Sequence, residues 1–199
     1  MTRNFVLTDD EVIALAAINN QMWPTGLTTV PPKPDAMRDA GMRGIRSLMV
    51  RGLINPESGP EGGYRVDPEL DSVVTGFLGG AKRIGAYLAP ARELNRLAGA
   101  SITAAGAGSQ WWLATATAGG IHNIRPSGRL EIIDALAELA EKTYDGTLLA
   151  DTTDPSVYSC VIRFGVGDDD KIVVSGNGGT TGPEWSRSRL VEAFAPVVC

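Results

Sequence analysis

The chain has 199 residues and a formal net charge of −5, with 43% hydrophobic and 21% charged residues. This length is sufficient for one domain with a sizeable hydrophobic core, and we expect residues 1–199 to form a single domain. Proteins that bind nucleic acid usually carry a surplus of Lys and Arg, because contacts to phosphate supply most of the affinity. The acidic balance therefore disfavours DNA or RNA as a partner.

The beginning of the chain and its cysteines bear on the cellular compartment. The first residues, MTRNFVLTDDEV, hold no apolar stretch of the length that a secretion signal needs. No other window is long and apolar enough for a membrane span. Cys160 and Cys199 lack the C-x-x-C spacing of a metal site, and reduced thiols are favoured over a disulfide. We expect a cytoplasmic protein that does not insert into membranes.

Residues 1–80 are predicted to be mainly helical. Thr8 and Glu11 have the spacing of a capping box, and the apolar residues after them predict a helix that runs to about Asn20. A proline-rich connector follows, which cannot be the interior of a helix. Its prolines are Pro24, Pro31, Pro32 and Pro34.

A second helix is predicted from Asp35 to Gly52, where a left-handed C-cap is expected. Its apolar side is predicted to hold Met37, Gly41, Ile45, Leu48, Met49 and Gly52. Its polar side is predicted to hold Arg43, Arg46 and Ser47. The segment YRV then predicts a short strand, and Asp67 followed by Pro68 begins a third helix that ends near Gly79.

Residues 81–146 and 147–199 are each predicted to form antiparallel strands followed by a covering helix, which gives an α+β fold. The first unit contains the strand-like segments RIGAYLA, ASITAAG, QWWLATAT and IHNIR before the helix GRLEIIDALAELAEKTYDG. Between them, ARELNRLAG fits either a helical turn or a longer strand. The helix is predicted to bury Leu130, Ile133, Leu136, Ala137 and Ala140. The second unit contains SVYSCVIRFGV and KIVVSG before the helix PEWSRSRLVEAFA.

A catalytic set is not evident in the sequence. His122 is the single histidine, and its place in a strand beside a turn favours a structural role. The run from Asp168 to Asp170 lacks the alternating spacing of a calcium loop. The glycines near Lys82 lack the spacing of a phosphate-binding loop, and SGNGGTTG (175–182) is interpreted as a mobile loop. We expect no enzyme, no cofactor, no metal and no small-molecule substrate.

The adjacent tryptophans are candidates for protein binding. Neighbours in a strand point to opposite faces, so Trp111 and Trp112 cannot enter the same core. Either helices cover both faces and bury both indoles, or one indole is an exposed anchor at a protein interface. In the second interpretation, the turn from Gly106 to Ser109 and the loop with Asn177 and Thr180 frame the same surface.

The chain contains, in order, the segments FVLTDDEVIALAAI, RSLMVRGLI, YRVDPEL and GRLEIIDALAEL. This order resembles the EspG family of type VII (ESX) secretion-associated proteins, and the resemblance extends from about Leu7 to Leu139. It implies a quasi-two-fold arrangement of the two sheet-plus-helix units. It also implies a cytoplasmic chaperone or adaptor whose protein partner is a helical PE–PPE-type substrate awaiting export.

A winged-helix DNA-binding regulator is the alternative. In that interpretation RSLMVRGLI ends a recognition helix and EGGYRV forms the wing. The long connector from Met22 to Pro34 stands where a tight turn is expected, and the net charge has the wrong sign for DNA.

Overall fold

The computed structural model describes residues 3–58, 62–145, 158–164, 171–175 and 185–198. Within these ranges it contains five helices and nine strands, and the predicted α+β class is confirmed. The helices are α1 (Asp9–Ile18), α2 (Pro34–Val50), α3 (Pro68–Gly79), α4 (Arg129–Tyr144) and α5 (Arg187–Val198). The strands are β1 (Phe5–Thr8), β2 (Ile54–Pro56), β3 (Tyr64–Val66), β4 (Lys82–Pro90), β5 (Ser101–Ala107), β6 (Gln110–Ala116), β7 (Ile121–Ser127), β8 (Tyr158–Arg163) and β9 (Lys171–Ser175).

Seven strands form one antiparallel sheet in the order β1-β7-β6-β5-β4-β8-β9, while β2 pairs with β3 separately. The strands of the predicted units 81–146 and 147–199 therefore lie in one continuous sheet, joined where β4 pairs with β8. The order of strands and then helix recurs, since α4 follows β7 and α5 follows β9. The quasi-two-fold relation of the units stays a prediction.

The strands β1 and β2 are absent from the sequence prediction. Strand β1 has four residues that run directly into α1, so its alternating pattern is too short to separate from the helix. It pairs with β7, with Phe5 opposite Ile124 and Leu7 opposite His122. Strand β2 ends at Pro56, a residue that sheets tolerate only at edges. The start of the chain thus forms one edge of the main sheet.

Helices cover both faces of the main sheet, and each face has its own core. The core beneath α1, α2 and α3 includes Leu15, Leu48, Phe77, Trp112, Ala114 and Ile124. The core beneath α4 and α5 includes Ile84, Trp111, Leu113, Leu136, Leu190 and Phe194. Because strand residues alternate between faces, each strand between the layers supplies both cores.

A glycine sets the close approach of α1 and α2. A Cβ atom at Gly44 would lie 2.0 Å from the backbone oxygen of Asp10, which is far inside van der Waals contact. The missing side chain therefore lets the backbones of the two helices touch. Gly52 is also confirmed as the residue after the end of α2, with a φ of 68°.

The predicted capping box at the start of α1 is confirmed, and Arg51 extends it. Thr8 Oγ1 accepts from the Glu11 amide at 3.3 Å, and Glu11 Oε2 accepts from the Thr8 amide at 2.9 Å. The buried Glu11 carboxylate also accepts from Ser47 Oγ and from Arg51 Nη1, each at 2.7 Å. Arg51 Nη2 donates to the Val6 carbonyl at 3.0 Å. The prediction that Ser47 looks outward is wrong, because its hydroxyl is held by a buried carboxylate.

Two predicted core positions are also wrong. Leu130 is 77% exposed and Met49 is 41% exposed. In α4 the buried arc consists of Ile132, Ile133, Leu136, Ala137, Leu139, Ala140 and Thr143. At 3.6 residues per turn, Leu130 lies at the border of this arc and in the first turn. The segment ARELNRLAG contains consecutive turns, with hydrogen bonds from Glu93 N to Pro90 O and from Arg96 N to Glu93 O.

Helix α4 offers a matched pair that tests these two environments. We expect Ile132→Ala to lower the free energy of unfolding by about 2–5 kcal/mol, because it leaves a cavity in the core. Leu130→Ala should change it by less than about 0.5 kcal/mol. Urea denaturation measures both values. Equal losses would contradict the position of α4 on the sheet.

Candidate functional site

A buried pair of side chains holds the connector between α1 and α2 in place. Asp9 is 1% exposed and His122 is 0% exposed, and Asp9 Oδ1 lies 2.6 Å from His122 Nε2. Asp9 Oδ2 accepts from the Thr28 amide at 2.9 Å, the Thr29 amide at 2.6 Å and the Thr29 hydroxyl at 2.7 Å. One carboxylate therefore joins the start of α1, strand β7 and the connector.

The surroundings of Asp9 keep its carboxyl ionised. Burial alone would raise its pKa, but the hydrogen bonds from His122 and Thr29 outweigh that effect and lower the pKa to about 2. An ionised carboxylate only accepts hydrogen bonds, so His122 Nε2 carries the hydrogen. We call Asp9, His122, Thr28 and Thr29 the clasp.

The clasp does not have the arrangement of a nucleophilic site. In a Ser-His-Asp triad the second ring nitrogen of the histidine contacts the nucleophile. In the described part of the chain, His122 Nδ1 has no hydrogen-bond partner. His122 is thus hydrogen-bonded to Asp9, and its ring is fully buried rather than at the surface.

Cys160 does not have the exposed surroundings that are typical of a reactive thiol. It is fully buried in strand β8. Burial raises the pKa of its thiol to about 12, while a hydrogen bond with Thr143 acts in the opposite direction. Because the thiolate is the nucleophile, the raised pKa disfavours a reactive role for this side chain. Cys199 lies outside the described residues.

An apolar groove lies between α1, the connector and the start of α2, and we call it the connector groove. Its volume is about 680 Å³. Trp23 forms part of its wall, with its ring centroid 5.2 Å from that of Phe77 and 5.9 Å from that of His122. Met22 is 88% exposed beside it. The other lining residues include Ile13, Ala16, Ala17, Leu27, Val30, Pro32, Lys33, Met37 and Arg38.

A second groove, which we call the sheet groove, lies on the face of β4 and β8 that is opposite α4. Its volume is about 610 Å³. The strands contribute Arg83, Gly85, Tyr87, Ser101, Thr103 and Arg163 to its lining. The connector contributes residues 24–26, and the loop between β4 and β5 contributes Asn95 and Leu97. This groove is more polar than the connector groove, and no carboxylate is among its described lining residues.

The structure separates the residues that the sequence singles out for partner binding. Trp111 is 3% exposed under α4 and α5, with its ring 6.0 Å from Phe194, whereas Trp112 is 9% exposed on the opposite face. Of the two alternatives that the sequence left open, the structure has the one in which helices cover both faces and both indoles are buried.

The other residues proposed to frame that surface are scattered. Gly106 is buried against the Trp111 ring, where a Cβ atom would lie 2.7 Å from a ring carbon, while Ser109 is exposed in the turn between β5 and β6. Asn177 and Thr180 lie outside the described residues. Partner binding by these residues stays a prediction.

Sequence reasoning missed both grooves and the clasp. The sequence does contain an indication of the connector groove. The segment MWPTGLTTV places four apolar side chains in a proline-rich connector, where a solvent-exposed loop would carry polar residues. The sheet groove had a weaker signal in the alternation of Arg83, Gly85 and Tyr87 with apolar residues. The clasp had none, since Asp9 and His122 are 113 positions apart.

Other functional features are absent from the part of the chain that the structure describes. No helix in these ranges is long and apolar enough to cross a membrane. Across the same ranges, no cluster of three or more His, Cys, Asp or Glu side chains is placed to hold a metal ion.

Comparison with known proteins finds similarity among solved structures. No family model matches the sequence, and no curated protein matches it. Among solved structures, the chain is similar to the Mycobacterium tuberculosis type VII secretion system chaperone EspG5, solved in complex with the PE25-PPE41 dimer. The TM-score is 0.41 and the sequence identity is 11%, over 86% of this chain and 80% of that chain. At this level of similarity, function has to be argued from the residues.

The clasp makes a prediction for stability. We expect Asp9→Ala to lower the free energy of unfolding at neutral pH by about 3–5 kcal/mol, because it leaves His122 and the connector amides without their buried partner. Asp10→Asn is the matched control, since Asp10 pairs with the exposed Arg43. That change should cost less than about 1 kcal/mol.

The same pair predicts a pH dependence. The pKa of Asp9 is lowered from 3.8 to about 2 on folding, so its contribution is complete at higher pH and is lost as pH falls through the folded value. The difference in unfolding free energy between the parent and Asp9→Ala should therefore shrink between about pH 4 and pH 2. A difference that stays constant over this range would contradict the clasp. Urea titrations at each pH provide the measurement.

The burial of both tryptophans predicts equal roles in the fold. We expect Trp111→Ala and Trp112→Ala each to lower the free energy of unfolding by about 3–5 kcal/mol. Ser109→Ala, on the nearby exposed turn, should leave it unchanged. If thermal unfolding showed one tryptophan variant to be as stable as the parent, that indole would not be part of a core.

Proposed function

We propose that this chain is a protein-binding adaptor that receives an amphipathic helix of its partner in the connector groove. In this proposal it acts as a cytoplasmic chaperone for helical PE–PPE-type substrates of type VII secretion. The connector groove is the observation that carries the proposal. The order of sequence segments that resembles the EspG family supports the choice of partner.

The lining of the connector groove suits the apolar face of a helix. Ile13 and Ala17 of α1 and Met37 of α2 are in the lining, and Met22 and Leu27 come from the connector. Helix recognition in a groove uses apolar anchors spaced by three or four residues. Methionine adapts its shape to such anchors, which favours its use at binding surfaces. An apolar surface beside a side chain as exposed as Met22 is typical of an interaction site.

The charges beside the groove favour a partner helix with acidic flanks. Lys33 and Arg38 are in the lining, and Arg38 Nη2 donates to the exposed carboxylate of Asp35 at 2.7 Å. Because Asp35 already neutralises Arg38, a carboxylate on the partner would face the exposed Lys33, where such a contact acts mainly on orientation and association rate. We therefore assign the occupant as an amphipathic helix whose apolar face is bordered by Asp or Glu.

The DNA-binding alternative has weaker support. Strand β3 does pair with β2 after α2, as a wing requires. However, Arg43 donates twice to Asp10, and Arg51 donates to Glu11. These carboxylates from α1 neutralise cations that a phosphate surface would need. The net charge of −5 acts in the same direction.

The groove can be tested with one charge and a matched control. Met22→Asp places a carboxylate at the connector groove, and because Met22 is 88% exposed its stability should match that of the parent. Val50→Asp makes the same change in charge at an 89% exposed site outside the groove lining. The probe is a purified PE–PPE heterodimer encoded in the same genome, and calorimetry measures its dissociation constant.

We expect Met22→Asp to weaken binding by a factor of about ten or more, which corresponds to about 1.4 kcal/mol. Val50→Asp should bind as the parent does. Equal affinity of all three proteins would refute the connector groove as the binding site. Salt-sensitive binding of the parent to duplex DNA, with no binding to the heterodimer, would favour the regulator instead.

A further inference from the structure

Within the described ranges, the sheet groove lies beside the area of the main sheet on which α3 packs, on the face opposite α4. Helix α3 packs on β5, β6 and β7, while α4 packs on the opposite face. The side of β4 and β8 that faces away from α4 is instead bordered by the connector and by the loop between β4 and β5. A Cβ atom at Gly26 would lie 2.1 Å from Leu97 Cδ2, so these two segments meet tightly over the groove.

The pleat of β4 places a cation in this groove. Ile84, Ala86 and Leu88 belong to the core beneath α4, so Arg83 and Gly85 point to the other face. Gly85 lies opposite Arg163 in the pairing of β4 with β8. Arg83 is therefore the diagonal neighbour of Arg163 on the same face, and the Cα atoms of such neighbours are about 7–8 Å apart.

Arg83 is a half-buried guanidinium without a carboxylate among the described lining residues. Its Nη2 donates to the Leu78 carbonyl at 2.6 Å, and its Cζ lies 5.8 Å from the centroid of the Phe77 ring. Its Nη1 is buried and has no hydrogen-bond partner in the described ranges. Burial also lowers the pKa of Arg83. An anion that enters the groove would stabilise this partly buried cation by pairing with its charge and accepting its hydrogen bonds.

Other groups in the groove can position a ligand. Arg163 Nη2 donates to Asn95 Oδ1 at 2.9 Å, which holds the second guanidinium toward the loop. The hydroxyls of Thr25 and Ser101 are buried and, among the described residues, have no hydrogen-bond partner. Gly85 leaves the floor between the arginines open, because a Cβ atom there would meet its nearest neighbour, the Ile102 carbonyl, at 3.5 Å.

We propose that the sheet groove binds a small anionic molecule, whose carboxylate or phosphate group pairs with the guanidinium of Arg83. Guanidinium groups donate pairs of hydrogen bonds to both kinds of anion. The Thr25 and Ser101 hydroxyls then contact the uncharged part of the ligand. This ligand site shares Thr25 with the lining of the connector groove, but it does not depend on the partner proposed for that groove.

The test uses the full chain and two probes, inorganic phosphate and succinate, each titrated at constant ionic strength with chloride as the balancing ion. Thermal unfolding measures the change in Tm, since a ligand that binds only the folded state stabilises it in a saturable manner. We expect at least one probe to raise the Tm of the parent with saturation. A response to phosphate assigns the ligand to the phosphorylated class, and a response to succinate assigns it to the carboxylates.

Variants locate the site. Arg83→Gln retains a donor for the Leu78 carbonyl and removes the charge, and Gly85→Val fills the floor while both arginines remain. Each should weaken the response by a factor of about ten or more, as expected when a charge-assisted contact is lost. Arg46→Gln is the matched control, because it removes an exposed arginine from α2. It should respond as the parent does.

Three outcomes would overturn the proposal. The first is a parent protein that responds to neither probe. The second is a response that is equal in the parent, Arg83→Gln and Gly85→Val, which would mean that the anions act elsewhere. The third is a rise in Tm without saturation that all variants share, which is a general effect of the salt. Gly85→Val decides the matter if Arg83→Gln does not fold.

Discussion

The buried hydrogen bonds of Asp9 are the constraint on which both grooves depend. The carboxylate holds residues 28 and 29 of the connector while it also accepts from His122 in β7. The connector forms a wall of the connector groove through Trp23, and its residues 24–26 border the sheet groove. A proline-rich segment has few backbone hydrogen bonds of its own to fix its path. One side chain therefore helps to shape both grooves.

Local patterns in the sequence predicted the elements whose causes are local. The capping box at Thr8, the glycine after α2 and the proline at the start of α3 each act within a few residues, and all are confirmed. The pleat likewise placed Trp111 and Trp112 on opposite faces. The exposure of the two indoles could not be predicted from the local pattern, because it depends on which distant helix covers each face. The same reason hid the clasp, since Asp9 looks like an ordinary acidic residue at a helix start.

The two grooves show different limits of sequence reading. The connector groove is made by apolar residues that follow no helical or strand period, so amphipathic patterns cannot reveal it. The sheet groove does follow a period of two along β4, with Arg83, Gly85 and Tyr87 on one face. Its second arginine joins it only through the register of β4 with β8. A strand pattern indicates which residues share a face, but the neighbours on that face come from pairing.

The contact of Arg51 with β1 has a consequence for the behaviour of the protein in concentrated solution. Strand β1 is the outer strand of the sheet, and its residues alternate between facing β7 and facing outward. Two outward backbone groups, the Val6 carbonyl and the Thr8 amide, are taken by Arg51 and Glu11. An open strand edge is a template on which other chains can add and aggregate. The ion pair of Glu11 with Arg51 keeps these two groups occupied, which leaves fewer positions on this edge with which another chain could pair.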